Sequence, residues 1–415
     1  MNRPATETWQ PDRGNRLLAL IFMTLGVTLA SMTSLWLPSI APNVAADLGI
    51  DASLIGYQVL AVYLGAMTTS LMAGGFTSRW GPWRTCQVSL AMFVLAISMI
   101  ISGHLVLIAL GSFTVGLGYG LANPPAASIL TRIATPQNQA LIFSIRFTGV
   151  PLGGVIAGLA GPQLALTYGW QASLAMPLGL IAISGLLMQP LRARWDQKRQ
   201  ADAPIWRPPL TDVRLAFQYP TVKWLCFTGL FLAAVQLSLT SFTVTVLVED
   251  IGHDLVTAGI ALSCIQVAGV VGRVTWGWLA DRSQSPLAVM AVITAVIAVG
   301  ALVLTQLSAA WPLLAIYAVY FALGFTGMSW NGVCFSELVN HGPTDRASNI
   351  TGAALFVTFS GVILGPAAFA LLVQITGDYT STYFMTAGLA VLAGGTLWLA
   401  GRGKRPAAAQ QLDRP

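Results

Sequence analysis

Two arginines in this sequence occupy positions where ordinary packing gives no reason for a charge. Arg273 lies in the run GVVGRVTWGWLADR, residues 269–282, eight residues before the polar pair Asp281 and Arg282. On a helix that spacing is about 12 Å of rise. Arg146 lies within a second apolar stretch, some seven residues from its polar end and so roughly 10 Å deep. No Asp or Glu sits in the middle of any apolar stretch; Glu337, at the end of one, comes nearest. Two guanidiniums without a buried acid make a site for an anion, because each can hold a carboxylate with two parallel hydrogen bonds. The plainer readings are an Arg273 that snorkels to a headgroup region and an Arg146 that makes a contact between the two halves to a carbonyl or to Glu337.

Three amides join the candidate substrate-binding set. Gln266 is seven residues before Arg273 and shares its helix face. Asn123 and Asn331 are the other polar residues suited to a cavity. Tyr57, Tyr63, Tyr119, Tyr320 and Trp330 are candidate aromatic lining, and Gln236 stands among the polar residues of the seventh apolar segment. Catalysis is not indicated. There is no His pair, no acidic cluster and no phosphate-binding glycine loop with a downstream Lys. His104, His253 and His341 fall in predicted loops, and Cys86, Cys226, Cys264 and Cys334 read as free core thiols. No metal and no cofactor is expected.

The elements that must position these side chains are membrane spans. Charged residues make up 9% of the 415 and hydrophobic residues 55%, too few charges to clothe a soluble surface. Apolar segments long enough to cross a bilayer are expected at 17–40, 53–76, 84–103, 105–131, 139–164, 170–190, 223–248, 256–279, 286–306, 310–335, 348–375 and 380–400. Prolines 38, 124, 125, 151 and 366 are expected to mark kinks or breaks. The domains so defined are a cytoplasmic tail (1–16), a first six-helix bundle (17–190), a cytoplasmic linker (191–222), a second bundle (223–400) and a closing tail (401–415). No cleavable leader is read from the first apolar run, which is too long for one.

Charge sets the orientation. With the N-terminus inside, all but two of the 21 basic residues fall on the cytoplasmic side, and the two exceptions are Arg146 and Arg273. The opposite loops carry Asp47, Asp51, Glu249, Asp250, Asp254 and Asp378 instead. The positive-inside rule then requires an even number of spans, twelve, with both termini cytoplasmic in a bacterial-type inner membrane. The net charge of +6 is thus a topology signal and no sign of nucleic-acid binding.

A repeat runs through the two halves. GGFTSRWGPWR (74–84) follows span 2, and GWLADR (277–282) follows span 8. Gly74 matches Gly277, Ser78 matches Asp281 and Arg79 matches Arg282, as a parallel two-fold repeat predicts. Gly74, Arg79, Gly81, Arg84, Gly277, Asp281 and Arg282 form a candidate conformational gate, in which an acid–base pair at a helix end holds neighbouring helices in one of two arrangements. Gly149, Pro151, Gly153 and Gly154 form a small-residue packing run.

These motifs resemble those of the major facilitator superfamily over essentially the whole chain. The loop 2–3 motif of that family, G-x-x-x-D-R-x-G-R-R, matches Gly74, Arg79, Gly81 and Arg84, with Ser78 in place of the acid. Its span 5 motif is similar to Gly149, Pro151, Gly153 and Gly154. The family's span 4 arginine, due near Gly111 or Ser112, is absent, which argues against a proton-antiport drug exporter. SIRFTGVPLGG (144–154) is similar to a run in cyanate- and nitroimidazole-type carriers. GRVTWGWLADR is similar to span 8 of monocarboxylate and oxalate/formate carriers, where a matching arginine binds substrate carboxylate. The resemblance implies an all-α membrane protein of twelve transmembrane helices in two pseudo-symmetric six-helix bundles, with spans 5 and 8 adjacent across the halves. It also implies that Arg273 contacts substrate.

The function expected from all this is secondary or facilitative transport of a small mono- or dicarboxylate by alternating access. An exporter of hydrophobic or drug-like compounds is the alternative. The partners are an anionic small molecule and the lipid bilayer, with a single copy of the chain taken as the working unit. With no carboxylate in mid-span, any coupled proton is expected to travel with the substrate, which leaves symport, uniport and exchange all open.

Overall fold

The computed structural model describes residues 11–49, 55–205 and 210–402. Within them the chain is helical and has no strand. Eleven helices are long and apolar enough to cross a membrane, and one bent pair brings the number to twelve. They are α1 (Arg13–Ser39), α2 (Gln58–Ser70 and Ala73–Trp80), α3 (Pro82–Ile101), α4 (Leu105–Ile133), α5 (Gln139–Tyr168), α6 (Trp170–Trp195), α7 (Pro220–Asp250), α8 (Thr257–Ser283), α9 (Pro286–Leu304), α10 (Leu313–Asn340), α11 (Ala347–Thr376) and α12 (Tyr383–Gly401). Large apolar side chains such as Leu166, Leu186, Leu314 and Ile375 stand exposed on the outside, as lipid contact requires.

Two boundaries differ from the sequence reading for local reasons. The first helix starts at Arg13, inside the expected tail 1–16, because Asp12 caps it by accepting the Asn15 backbone N–H at 2.7 Å. The second span bends by 54° between its two pieces. Of the expected tails, residues 1–10 and 403–415 lie outside the described residues, as does Asp51.

The two halves repeat one packing scheme. In the first, α1 lies against α5 and α2 against α4; in the second, α7 lies against α11 and α8 against α10. Glycines permit this closeness. A Cβ on Gly153 would strike backbone of α1 at Thr28, and one on Gly361 would strike backbone of α7 at Leu230. Gly149 packs on Thr24, Val27 and Thr28, and Gly154 faces Leu35. Between the halves, α5 meets α8 and α10, and α11 meets α2 and α4, again in symmetric fashion.

The ends of the bundle differ in charge, so we call them the basic end and the acidic end. All the described hydrogen bonds that tie one half to the other lie at the basic end. Ser128 of α4 and Ser348 of α11 bond at 2.9 Å, and Ser348 also donates to the Pro124 carbonyl at 2.7 Å. Asp281 of α8 accepts the Ala140 and Leu141 backbone N–H groups of α5 at 3.0 and 2.8 Å. The described linker residues, 191–205 and 210–222, pack beneath the bundles instead of hanging free. Trp195 is buried and stacks on Trp83 at 5.5 Å.

Candidate functional site

Three helices break near mid-depth, and the breaks build the site. In α4 the helix stops at Ala122 and restarts at Pro124. Pro124 and Pro125 have no N–H to return to the preceding turn. The chain therefore leaves acceptors open around Asn123. In α5 the break falls at Thr148, three residues before Pro151, which cannot donate back to Phe147. In α10 the helix stops at Gly327 and restarts at Trp330. Pro366, expected to do the same, sits inside an unbroken α11. Pro38 falls one residue before the end of α1.

Arg146 fills the α4 break. Its Nη1 donates to Asn123 Oδ1 at 2.8 Å and its Nη2 to the Ala122 carbonyl at 3.1 Å. The guanidinium also lies 5.2 Å from the Phe147 ring centre. Arg146 is 2% exposed and does not line the cavity described next. The expected pair of cavity arginines is therefore a single one. The plainer reading, a contact across the halves to a carbonyl or Glu337, is not met either: both partners lie within the first half.

Arg273 is equally buried, at 2% exposed, and has no hydrogen bond or ion pair among the described residues. It lines a cavity of about 90 Å³ between the halves, with Asn123, Gln236, Asn331 and Thr358 as the other polar lining residues. The Asn331 carbonyl oxygen is buried and without a partner. Gln236 accepts the Trp330 indole N–H at 3.0 Å. No acidic residue lines the cavity among the described residues. The second pieces of α4 and α10 both begin at the cavity, at Asn123 and Trp330, so the positive ends of two helix dipoles face it.

Aromatic rings close the rest. Phe359 of α11 stands 5.7 Å from Tyr63 of α2 and 6.0 Å from Tyr119 of α4, ring centre to ring centre. Phe147 of α5 meets Phe335 of α10 at 5.4 Å. Both contacts cross between the halves. Tyr63, Tyr119 and Trp330 were legible as lining residues; Phe147, Phe335, Phe359 and Thr358 were not. Nothing in the local pattern separates Phe359 from an ordinary core phenylalanine. Tyr320 lies elsewhere, bonded to Tyr383 at 3.2 Å inside the second bundle, because its face of α10 turns toward α12. Gln266 is half-buried and does not line the cavity. It sits two turns nearer the acidic end than Arg273. The side chain of Tyr57 lies outside the described residues.

The gate residues work differently from the expected acid–base pair. Asp281 turns its carboxylate to the N-terminus of α5, where two backbone N–H groups hold it. Arg282 is exposed and lies over Trp278 at 5.9 Å. The only described ion pairs are His341–Glu337 and Arg346–Asp345, neither of them between the halves. A helix N-terminus is the better partner because its N–H groups are fixed and unbonded. Gly277 allows the contact, since a Cβ there would meet Ser144 Oγ at 2.5 Å. Gly332 presses on the same Ser144 from α10.

In the first half, Ser78 leaves the matching position without an acid. Asp212, from the helix Thr211–Phe217 of the linker, accepts the Asn349 side-chain N–H at 2.8 Å beside Gly74. Arg79 is exposed and Arg84 half-buried. The α3 N-terminus is capped by another linker acid, Asp196, which accepts the Trp83 and Arg84 backbone N–H groups at 2.8 and 3.0 Å. Gly81, at φ 91°, lets Asp196 come this close. Burial pushes the Asp196 carboxyl up to about 6, against those two donors. These linker acids had no signal in the sequence, where 191–222 read only as polar and basic.

The described architecture agrees with one family. Residues 21–366 match the model of the Major Facilitator Superfamily. The chain belongs to that superfamily. It is therefore a multi-pass membrane transporter and not an enzyme. Among curated members, it is 27% identical over 288 residues to rat monocarboxylate transporter 13, covering 67% of this chain and 63% of that one. It is 24% identical over 403 residues to the gallate transporter of Pseudomonas putida, covering 86% of each. It is 27% identical over 304 residues to the 4-hydroxybenzoate transporter PcaK of Pseudomonas aeruginosa, covering 64% of this chain and 66% of that one. Solved superfamily structures share the fold. The E. coli fucose:proton symporter superposes with a TM-score of 0.75 at 14% identity, over 93% of this chain and 99% of that one. The human organic anion transporter MFSD10 gives 0.75 at 13%, over 93% and 100%.

Proposed function

We propose that this superfamily member carries a small aromatic monocarboxylate across the inner membrane by alternating access of its two halves. The observation that carries the reading is Arg273, a buried guanidinium without a protein partner, set in a cavity walled by aromatic rings. Placing such a charge in the membrane costs about 2.5–3.5 kcal/mol on insertion scales. A carboxylate offsets that cost with two charge-assisted hydrogen bonds. The rings then take the apolar body of the substrate by edge and face contact. One free cation suits one carboxylate, which narrows the expected mono- or dicarboxylate to the former. Relatives named for gallate, 4-hydroxybenzoate and monocarboxylates support the same class. A neutral hydrophobic cargo leaves Arg273 unpaired, so the exporter alternative fits the site less well.

In this conformation hydrogen bonds between α5 and α8 and between α4 and α11 tie the halves together at the basic end. The basic end faces the cytoplasm by the charge distribution of the loops. With no acid lining the cavity, a proton that crosses does so on the substrate.

A thermal-shift series on purified protein tests the reading. Benzoate, lactate, phosphate, glucose and a cationic dye are added to wild type and to Arg273→Gln. Ligand binding to the folded state raises the melting temperature by mass action. The expected result is stabilisation of wild type by benzoate, absent in the variant. Equal stabilisation of both proteins by the dye, with none by any anion, overturns it.

A further inference from the structure

Asn331 is the second unmet group of the cavity, and its twin in the other half shows what it lacks. Residues 116–123 read GLGYGLAN and residues 324–331 read GFTGMSWN. Each run begins on a glycine, crosses toward the helix break, and ends on an asparagine at or just past it. Asn123 and Asn331 are therefore equivalent positions of the two halves. Asn123 Oδ1 receives Arg146 from α5. The helix equivalent to α5 in the second half is α11, and it has no charged residue anywhere in Ala347–Thr376. Asn331 Oδ1 consequently has no donor, although it is buried and lines the cavity.

No neighbouring donor reaches it among the described residues. Trp330 gives its indole N–H to Gln236. Arg273 is the one charged donor among the described lining residues, and a bound carboxylate takes it. A buried amide oxygen left without a hydrogen bond is costly, and a cavity that leaves one is shaped for a ligand that brings the proton. We propose that Asn331 accepts a hydrogen bond from a hydroxyl on the cargo. The site then selects hydroxylated aromatic acids over the bare acid. The carboxylate satisfies the guanidinium of Arg273, and the phenolic O–H satisfies the amide of Asn331. This inference rests on the carboxylate reading of Arg273 and adds a second point of recognition to it.

A site built to bond a hydroxyl discriminates strongly against the analogue that lacks it, because its own polar group is then left unpaired. The test compares benzoate, 4-fluorobenzoate, 3-hydroxybenzoate and 4-hydroxybenzoate by calorimetric titration of the purified wild type and of Asn331→Leu. One hydroxybenzoate isomer is expected to bind wild type at least about tenfold more tightly than benzoate or 4-fluorobenzoate. In Asn331→Leu that preference disappears. The fluoro analogue needs no substitution, so a variant that fails to fold leaves the comparison intact. Hydroxybenzoates that bind wild type no better than benzoate overturn the proposal, and so does a preference that survives in Asn331→Leu. In either case benzoate still binds, and the carboxylate reading stands. If none of the four acids binds wild type, the carboxylate reading itself fails and this inference falls with it.

Discussion

The two buried arginines are alike in burial and differ at their Nη groups, which are bonded in Arg146 and bonded to nothing described in Arg273. Arg146 and Arg273 are each 2% exposed. Arg146 is held by a helix break in its own half, which supplies the Asn123 side chain and the Ala122 carbonyl. Arg273 has a glycine-rich helix face, with Gly269 and Gly272 packed on α10, and no acceptor among the described residues. The asparagines follow suit, one engaged and the other empty. At the helix breaks, then, the first half supplies partners for its arginine and asparagine, and the second leaves Arg273 and the Asn331 Oδ1 without any among the described residues. A buried charge is a functional signal only once its partners have been counted.

Four experiments sharpen or break this contrast. The largest effect is expected for Arg273→Gln, which removes charge-assisted bonds to substrate. Benzoate uptake into proteoliposomes should fall by about 100-fold or more, while the ligand-free melting temperature holds or rises. The second is Arg146→Gln, which should lower ligand-free stability by about 2–4 kcal/mol, since it empties the α4 socket and leaves buried acceptors unmet. Equal loss of stability in both variants would erase the distinction. Third, Asn123→Leu should cost about 1.5–3 kcal/mol by stripping a charged donor of its acceptor, whereas Asn331→Leu should cost nothing measurable in thermal melts without ligand. The smallest effect is at the gate. Asp281→Asn weakens the cap on α5 by about 1 kcal/mol. Maleimide labelling of a cysteine introduced by Ser144→Cys, buried under Gly277 and Gly332, should then speed up; unchanged labelling means the cap does not hold the basic end shut.

The fold was legible because its signals are cooperative along the chain. Apolar length fixed the spans, and loop charges fixed their parity, so boundary errors such as the start at Arg13 in place of residue 17 had no consequence for the count. The cavity was only partly legible. Arg273, Asn123 and Asn331 stood out because polar groups are costly in apolar sequence. Phe359 and Phe335 did not, since a phenylalanine in an apolar span looks the same facing a cavity or a neighbour. Arg146 was visible as a buried charge, yet one of its partners is the Ala122 carbonyl at the α4 break, and a main-chain acceptor carries no side-chain signature. The acid–base reading of Asp281 and Arg282 failed for a related reason. The acid found a helix N-terminus, and every helix has one. Asp212 and Asp196 reach their helices only through the path of the linker, which its polar composition does not specify.

The most direct test of the central claim is a calorimetric titration of benzoate into wild type, Arg273→Gln and Arg146→Gln under one condition. The contrast predicts binding to wild type, none to Arg273→Gln, and binding to those Arg146→Gln molecules that remain folded. Benzoate that binds Arg273→Gln as tightly as wild type would contradict it, and would make Arg273 a structural residue like its counterpart.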